Sequence, residues 1–377
     1  MSQPALGVAA SALVVALSLA YVSLFDFPTF AGPVAFFMLA LIPAQIVLVV
    51  LAPDAPFAAG LRQPARGLVL LAVTAAAAAV LAPLALWLTG EGVFPPGPIP
   101  SHYAVIVVPT TFFLAIAFGG WPFTGLSRNR LAAAALVLVA AYALTYAIFR
   151  VFFDYGFLEG APVYLPSAPR GLYHASWALV FDVTALAGMF LLLHFDLWPL
   201  TKVPALRRQP MLGIVWLIVS LVIAALVMRV TLPASLNLDP MWVLTRVTAP
   251  FIFGTIIVLN MLQDSLMAGL SQPLKGVANT VVAAAIGLLL ATLYGIVAPW
   301  IAGPLPMGWP GYEYEIWLVN ALLSVTFPFL VFHAAYFAFW PLAVIGGSEG
   351  STGSRGSEGS SGSGGSEIRV VQEAQGR

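Results

Sequence analysis

Three ionisable side chains lie in one apolar stretch of the chain. His174, Asp182 and His194 fall within residues 173–200, which are apolar enough to cross a bilayer. At about 1.5 Å of rise per residue the stretch covers roughly 40 Å, so Asp182 is expected near the middle of the membrane. A bare carboxylate at that depth costs several kcal/mol unless it is protonated, paired or in contact with water. Asp182 is therefore the first candidate for a coupling or substrate-binding group.

Two arginines are candidate partners for this acid. Arg229 and Arg246 each lie a few residues inside an apolar run, at depths from which a guanidinium could reach toward Asp182. A buried ion pair would lower the energetic cost of both charges. Together with His174, Asp182 and the arginines would form a binding site for a small solute that could be anionic. The alternative is structural: the arginines extend to lipid phosphates, His174 is hydrated at the interface, and Asp182 links two helices.

Two further histidines suggest a different chemistry. His194 and His333 precede similar helix ends, so they are predicted at similar depths, and a b-type haem or a quinone in a redox complex could bind between them. A third hypothesis is an integral enzyme that acts on a lipid, with His174 and Asp182 as acid and base. A fourth is a purely structural membrane subunit.

Composition excludes several classes of site. The chain has no cysteine, so thiolate clusters, zinc-thiolate sites and disulfides are excluded. Fifteen basic and fifteen acidic residues cancel, and no basic face indicates nucleic-acid binding. There is no P-loop or HExxH motif, and without a P-loop the energy for any transport must come from an ion gradient or a partner subunit.

The elements that would position these residues are membrane-spanning helices. With 61% hydrophobic and 8% charged residues in 377, the chain is predicted to be an all-α, polytopic membrane bundle. Apolar runs of about twenty residues give ten spans, the first of which we interpret as a retained helix rather than a signal peptide. The spans are roughly 5–25, 32–52, 67–89, 102–123, 130–153, 173–200, 210–232, 240–268, 277–302 and 316–342.

The connections between the spans alternate in charge. Even-numbered connections hold eight basic residues, and the odd-numbered ones hold seven acidic residues with Arg170 as their one basic residue. Because cytoplasmic loops retain Lys and Arg, both termini are predicted to be cytoplasmic. The Ala-rich spans and short loops suggest a bacterial inner (plasma) membrane. The basic residues are Arg62, Arg66, Arg128, Arg130, Lys202, Arg207, Arg208 and Lys275.

An internal repeat and a change of composition divide the chain. Trp121-Pro122, Trp198-Pro199 and Trp340-Pro341 each close an even-numbered span, which suggests repeated helical hairpins of roughly 70 residues. Interfacial Trp and helix-ending Pro could also produce this pattern without duplication. Residues 1–345 are predicted to form the transmembrane domain, and the Gly/Ser-rich residues 346–377 a disordered cytoplasmic tail.

These patterns favour a multi-pass transporter or permease for a small solute. Its expected partners are the lipid bilayer, the solute and possible partner subunits. No cofactor is assigned outside the haem alternative.

Overall fold

The computed structural model describes residues 3–231 and 235–347. The described part is 73% helical and contains ten helices long and apolar enough to span a membrane, so the protein is a polytopic helical bundle. The ten spans, α1 to α10, are Gln3–Val22, Phe27–Leu51, Ala65–Gly90, Pro98–Ala117, Arg130–Phe152, Ala175–His194, Met211–Thr231, Pro240–Met261, Leu274–Ala302 and Glu313–Tyr336.

Small elements join the spans. Strands β1 (Phe153–Asp154) and β2 (Tyr173–His174) pair in parallel between α5 and α6. Short helices follow α4 at Phe123–Leu126 and α10 at Leu342–Gly347. The tail predicted at 346–377 lies almost entirely outside the described residues.

Burial divides the spans into two alternating classes. In α1, α3, α5, α7 and α9, 28–33% of the residues of the most apolar stretch are buried, against 61–78% in α2, α4, α6, α8 and α10. The poorly buried helices expose large apolar side chains, such as Val139 and Trp300, as lipid-facing helices do. The even-numbered helices are therefore the inner ones.

The five inner helices form a closed ring. Contacts join α2 to α4, α4 to α6, α6 to α8, α8 to α10, and α10 back to α2. Each outer helix packs on the inner helix that precedes it in the chain and on the inner helix before that one; α7, for example, packs on α6 and α4. The same rule holds where the ring closes: α3 packs on α2 and α10, and α1 packs on α10 and α8. The chain thus has pseudo-fivefold symmetry, with one hairpin of inner and outer helix as the unit.

A backbone feature repeats at the ends of inner helices. In α4, α6, α8 and α10 two consecutive left-handed residues follow the last helical turn and redirect the chain. Only in α4 are both of these residues glycines, Gly119 and Gly120, for which the left-handed conformation carries no steric cost. The pairs in the others are Asp196 and Leu197, Gln263 and Asp264, and Ala338 and Phe339.

A second repeated motif fixes the outer helices to these ends. Gln-Pro-x-x-Gly opens α1, α3, α7 and α9, beginning at Gln3, Gln63, Gln209 and Gln272. Gln209, for example, donates from Nε2 to the Ala117 carbonyl at the end of α4 (2.8 Å) and accepts from the Gly213 N–H (3.3 Å). Gln63 bonds in the same way to the Tyr336 carbonyl of α10, and Gln272 to the His194 carbonyl of α6.

The glycine of this motif allows close packing. A Cβ at Gly67, Gly213 or Gly276 would overlap the ring of Phe337, Phe118 or Phe195, respectively, which follows the inner helix. We call this arrangement the Gln-Pro clasp. The clasp joins α7 to α4, α9 to α6 and, across the closure of the ring, α3 to α10.

Candidate functional site

The inner ring lines a partly open cavity on its pseudo-fivefold axis. Its volume is about 50 Å³, whereas about 10–15 Å³ on this measure admits one water molecule, so it has room for a few waters or a solute of a few heavy atoms. Every inner helix contributes to its wall. The lining residues are Leu39 and Ile42 of α2, Val105, Val108, Pro109 and Phe112 of α4, Val183 and Leu186 of α6, Ile252 of α8, and Val319, Asn320, Leu323, Ser324 and Phe327 of α10.

Asp182 lies next to this wall but is not one of the residues that line it. It is adjacent to Val183 and four residues before Leu186, both of which line the cavity, and residues four apart share a helix face. Its Oδ2 atom is buried and has no hydrogen-bond partner among the described residues. The acid that the sequence singled out therefore has a buried oxygen beside the part of the cavity lining that α6 contributes.

The pseudo-symmetry places Asp182 at the same level independently. In each helix we count ten residues back from the first left-handed residue of the closing turn. The position reached is Leu186 in α6, Pro109 in α4 and Pro328 in α10. One turn earlier in each helix stands Asp182, Val105 or Ser324. Because Val105 and Ser324 line the cavity, the equivalent residue of α6 is expected to face it as well.

The predicted arginine partners are elsewhere. Arg229 is exposed on the last turn of the outer helix α7. Arg246 lies on α8, with its guanidinium over the ring of Tyr314 at 5.7 Å. Neither makes an ion pair with Asp182 in the described part of the chain, so the expected Asp182–arginine pair is not formed. Arg229 is on an outer helix, and Arg246 packs against Tyr314 of α10. Hydropathy does not determine which helices form the ring or which side of a helix faces it.

His174 is also separate from the cavity. It is exposed in β2, immediately before α6, and its ring stacks on Phe157 with centroids 4.0 Å apart. This region, residues 153–174, is tied to α4 through the buried Tyr155 hydroxyl and His102 Nδ1, 3.0 Å apart. We call it the α5–α6 cover, since it packs on the ends of α4 and α6 where α6 begins.

The cover should respond to pH through His174. His174 is exposed by surface area, but partial desolvation of its ring still lowers its pKa, an effect that the nearby Asp154 carboxylate opposes. Because the folded pKa lies below the free value of about 6.5, the contribution of neutral His174 is complete above pH 6.5 and is lost as pH falls through the lowered pKa. We expect amide hydrogen exchange in residues 155–173 to accelerate, relative to the intrinsic rate, between pH 7 and pH 5. His174→Gln should remove most of this pH dependence, and an unchanged profile in that variant would assign it to another group.

The two histidines of the haem hypothesis have different neighbours. His194 is fully buried, and its Nε2 is 3.0 Å from the Thr255 hydroxyl of α8. His333 packs edge-on against Phe339 at the end of its own helix. Their helices, α6 and α10, are separated in the ring by α8, and the contacts of the described residues do not bring the two imidazoles together. Among the residues described, no group of three or more His, Cys, Asp or Glu is arranged to hold a metal ion.

Two polar residues of the wall were missed by the sequence analysis. Asn320 and Ser324 of α10 line the cavity, and the Ser324 hydroxyl donates to Asn320 Oδ1 at 3.0 Å. Their spacing of one turn in an apolar helix was the available signal. Gln45 of α2 is a third buried polar residue; it donates to the Pro328 carbonyl (2.9 Å), and its Oε1 has no partner among the described residues.

Comparisons of the chain with protein-family models, with curated proteins and with solved structures found no match.

Proposed function

We propose that this integral membrane protein is a permease for a small solute, and that the solute crosses along the axis of the inner ring. The observation that carries the proposal is the cavity to which all five inner helices contribute. The outer helices separate that ring from lipid, an arrangement suited to a path through the middle of one chain.

Asp182 is the proposed coupling group. A carboxyl group with a buried, unpaired oxygen in apolar surroundings is stable when it is protonated or when a cation or water contacts it. Exchange between these conditions would couple solute movement to an ion gradient. Arg229, Arg246 and His174 lie away from the cavity, and its described lining has no basic side chain, so the site favours a neutral or cationic solute over an anion. We place the protein in the plasma membrane, with the basic connections in the cytoplasm.

The absence of cysteine from the sequence makes a selective blocking experiment practical. Ser324→Cys is nearly isosteric and places one thiol in the cavity wall; Val139→Cys places one on the lipid-facing side of α5, where the residue is 67% exposed. Both variants would be reconstituted in liposomes and treated with the small uncharged reagent methyl methanethiosulfonate. Stopped-flow measurements would follow the entry of water, glycerol, methylammonium and formate.

We expect labelling at position 324 to reduce the flux of at least one of these solutes about tenfold, because the added thiomethyl group occupies the narrow lumen. Labelling at position 139 should leave the flux unchanged. The degree of labelling would be measured by intact mass. Full labelling at position 324 with undiminished flux, or no flux above that of empty liposomes, would contradict a path along this axis.

A further inference from the structure

The oxygen atoms around the cavity indicate which solute it accepts. Proline has no N–H, so inside a helix it deprives the carbonyl four residues earlier of its donor. Pro43 lies within α2 and Pro109 within α4, and the carbonyls affected are those of Leu39 and Val105. Both of these residues line the cavity.

The same level of the ring carries further oxygen atoms. One turn before the position that proline occupies in α4 and α10, α6 has Asp182 and α10 has Ser324. Asn320 lies one turn before Ser324 in the chain. Among the inner helices, α6 has no proline and has the carboxylate instead. Four of the five inner helices thus have a potential acceptor oxygen at or near one level: the Leu39 and Val105 carbonyls and the Ser324 hydroxyl of lining residues, and the Asp182 carboxylate beside the lining.

The charge of this level favours a positive ligand. Carboxylate and carbonyl oxygens carry negative charge or partial negative charge, and no Arg, Lys or His stands among the described lining residues to compensate. In an interior of low polarity these charges act strongly on a ligand, because water does not screen them. An anion would meet repulsion here, whereas a cation would provide the partner that Asp182 Oδ2 lacks.

The walls decide between kinds of cation. Hard metal ions such as Ca²⁺ and Mg²⁺ take six or more oxygen ligands in a complete shell. Here the remaining lining is aliphatic and aromatic, including Ile42, Val108, Phe112 and Phe327. A group with a few directed N–H donors on one side and a small apolar surface on the other matches such a wall better. The volume of about 50 Å³ limits the ligand to a few heavy atoms.

We infer that the central cavity binds a small ammonium-type cation, ammonium or methylammonium, with Asp182 as counter-ion and the Leu39 and Val105 carbonyls as further acceptors. This inference rests on the proposed function, whose solute class it specifies. The ligand would donate N–H bonds toward α2, α4 and α6 while its methyl group, when present, contacts the aliphatic wall.

Equilibrium binding of radiolabelled methylammonium to the purified full-length protein in nanodiscs tests this inference. We expect saturable binding that unlabelled ammonium displaces and that equal concentrations of sodium or formate do not. Asp182→Asn should weaken binding more than about tenfold, since it removes the charge of one partner of a buried pair. Asp54→Asn, which neutralises an exposed acid between α2 and α3, is the matched control and should bind as the wild type does.

Moving the carboxylate to a neighbouring helix tests whether Asp182 binds the cation directly or affects binding only through the folding of the protein. In the double variant Asp182→Val with Val105→Asp, the carboxylate sits at the equivalent level of the neighbouring helix α4, and we expect binding within a few fold of wild type. Thermal melting of each variant in the same nanodiscs would establish that it is folded.

Several results would overturn the inference. They are the absence of saturable methylammonium binding to the wild type, unchanged binding in Asp182→Asn, failure of the folded double variant to recover binding, and displacement by formate or, equally well, by sodium. These outcomes leave the proposed path itself intact if labelling at position 324 still blocks another solute. Conversely, binding without any blockable flux would retain the cation site and reject the permease.

Discussion

Gly287→Leu is expected to prevent α9 from docking on α8 and to leave little folded protein. A Cβ at Gly287 would overlap the Pro250 carbonyl of α8, and one at Gly254 of α8 would overlap the Ala283 carbonyl of α9. The two helices are therefore in backbone-to-backbone contact at two successive turns, and such small-residue contacts are a main source of helix association in membranes. A leucine would separate the helices at a cost of about 3 kcal/mol or more.

The measurement is the yield of monodisperse protein and its melting temperature in mild detergent. Gly287→Ala should give an intermediate loss, because its single methyl group still meets the carbonyl. Gly269→Leu is a suitable control, since space around that exposed glycine is open. A Gly287→Leu protein that melts with the wild type would mean that α8 and α9 do not pack in this way.

Lys275→Met is expected to lower stability by removing the one cation shared by two acids. Lys275 Nζ is 3.3 Å from Asp196 Oδ2 and also pairs with Asp264, so one ammonium joins the ends of α6 and α8 to the start of α9. The acids have other donors: Gln272 donates to Asp196 at 2.8 Å, and Asn279 donates to Asp264. Without the lysine the two carboxylates would repel each other in a half-buried site, which we expect to cost about 2 kcal/mol, less than for a fully buried pair.

Second-site substitutions test this explanation. Asp196→Asn or Asp264→Asn in the Lys275→Met background should restore part of the lost melting temperature, because each removes one of the unpaired charges. Lys202→Met, at an exposed lysine near the end of α6, should have little effect. Equal losses for Lys275→Met alone and with either second substitution would exclude charge repulsion as the cause.

Hydropathy was sufficient to predict the number and order of the spans, although several helix ends were misplaced. The stretch predicted at 173–200 is helical only over Ala175–His194, and the run predicted at 240–268 ends as a span at Met261. In both cases apolar residues extend the run beyond the helix: Leu197 lies in the left-handed closing turn of α6, and Leu266 follows the closing turn of α8. A hydropathy window cannot detect this change, because Leu197 and Leu266 are as apolar as the residues before them.

The residues of the candidate site could be selected from the sequence, but their neighbours could not. Asp182 was selected because charge at mid-membrane is costly, and in the structure it adjoins Val183, one of the α6 residues that line the cavity. The arginines failed as partners because their rotation about α7 and α8 depends on tertiary packing. Of the repeat, the Trp-Pro pairs were visible, whereas the Gln-Pro-x-x-Gly motif, which carries the contacts between hairpins, was overlooked.

The Gln-Pro clasps also constrain how the ring is assembled. The clasp of α3 holds the end of α10, and α1 packs against the end of α8, so elements made early by the ribosome have docking partners that are made last. The hairpins can enter the bilayer one after another, but the first two cannot complete their contacts until the final span has been inserted. Closure is then a late, concerted event, and a chain that stops after four hairpins would leave an open crescent whose unsatisfied edges face lipid.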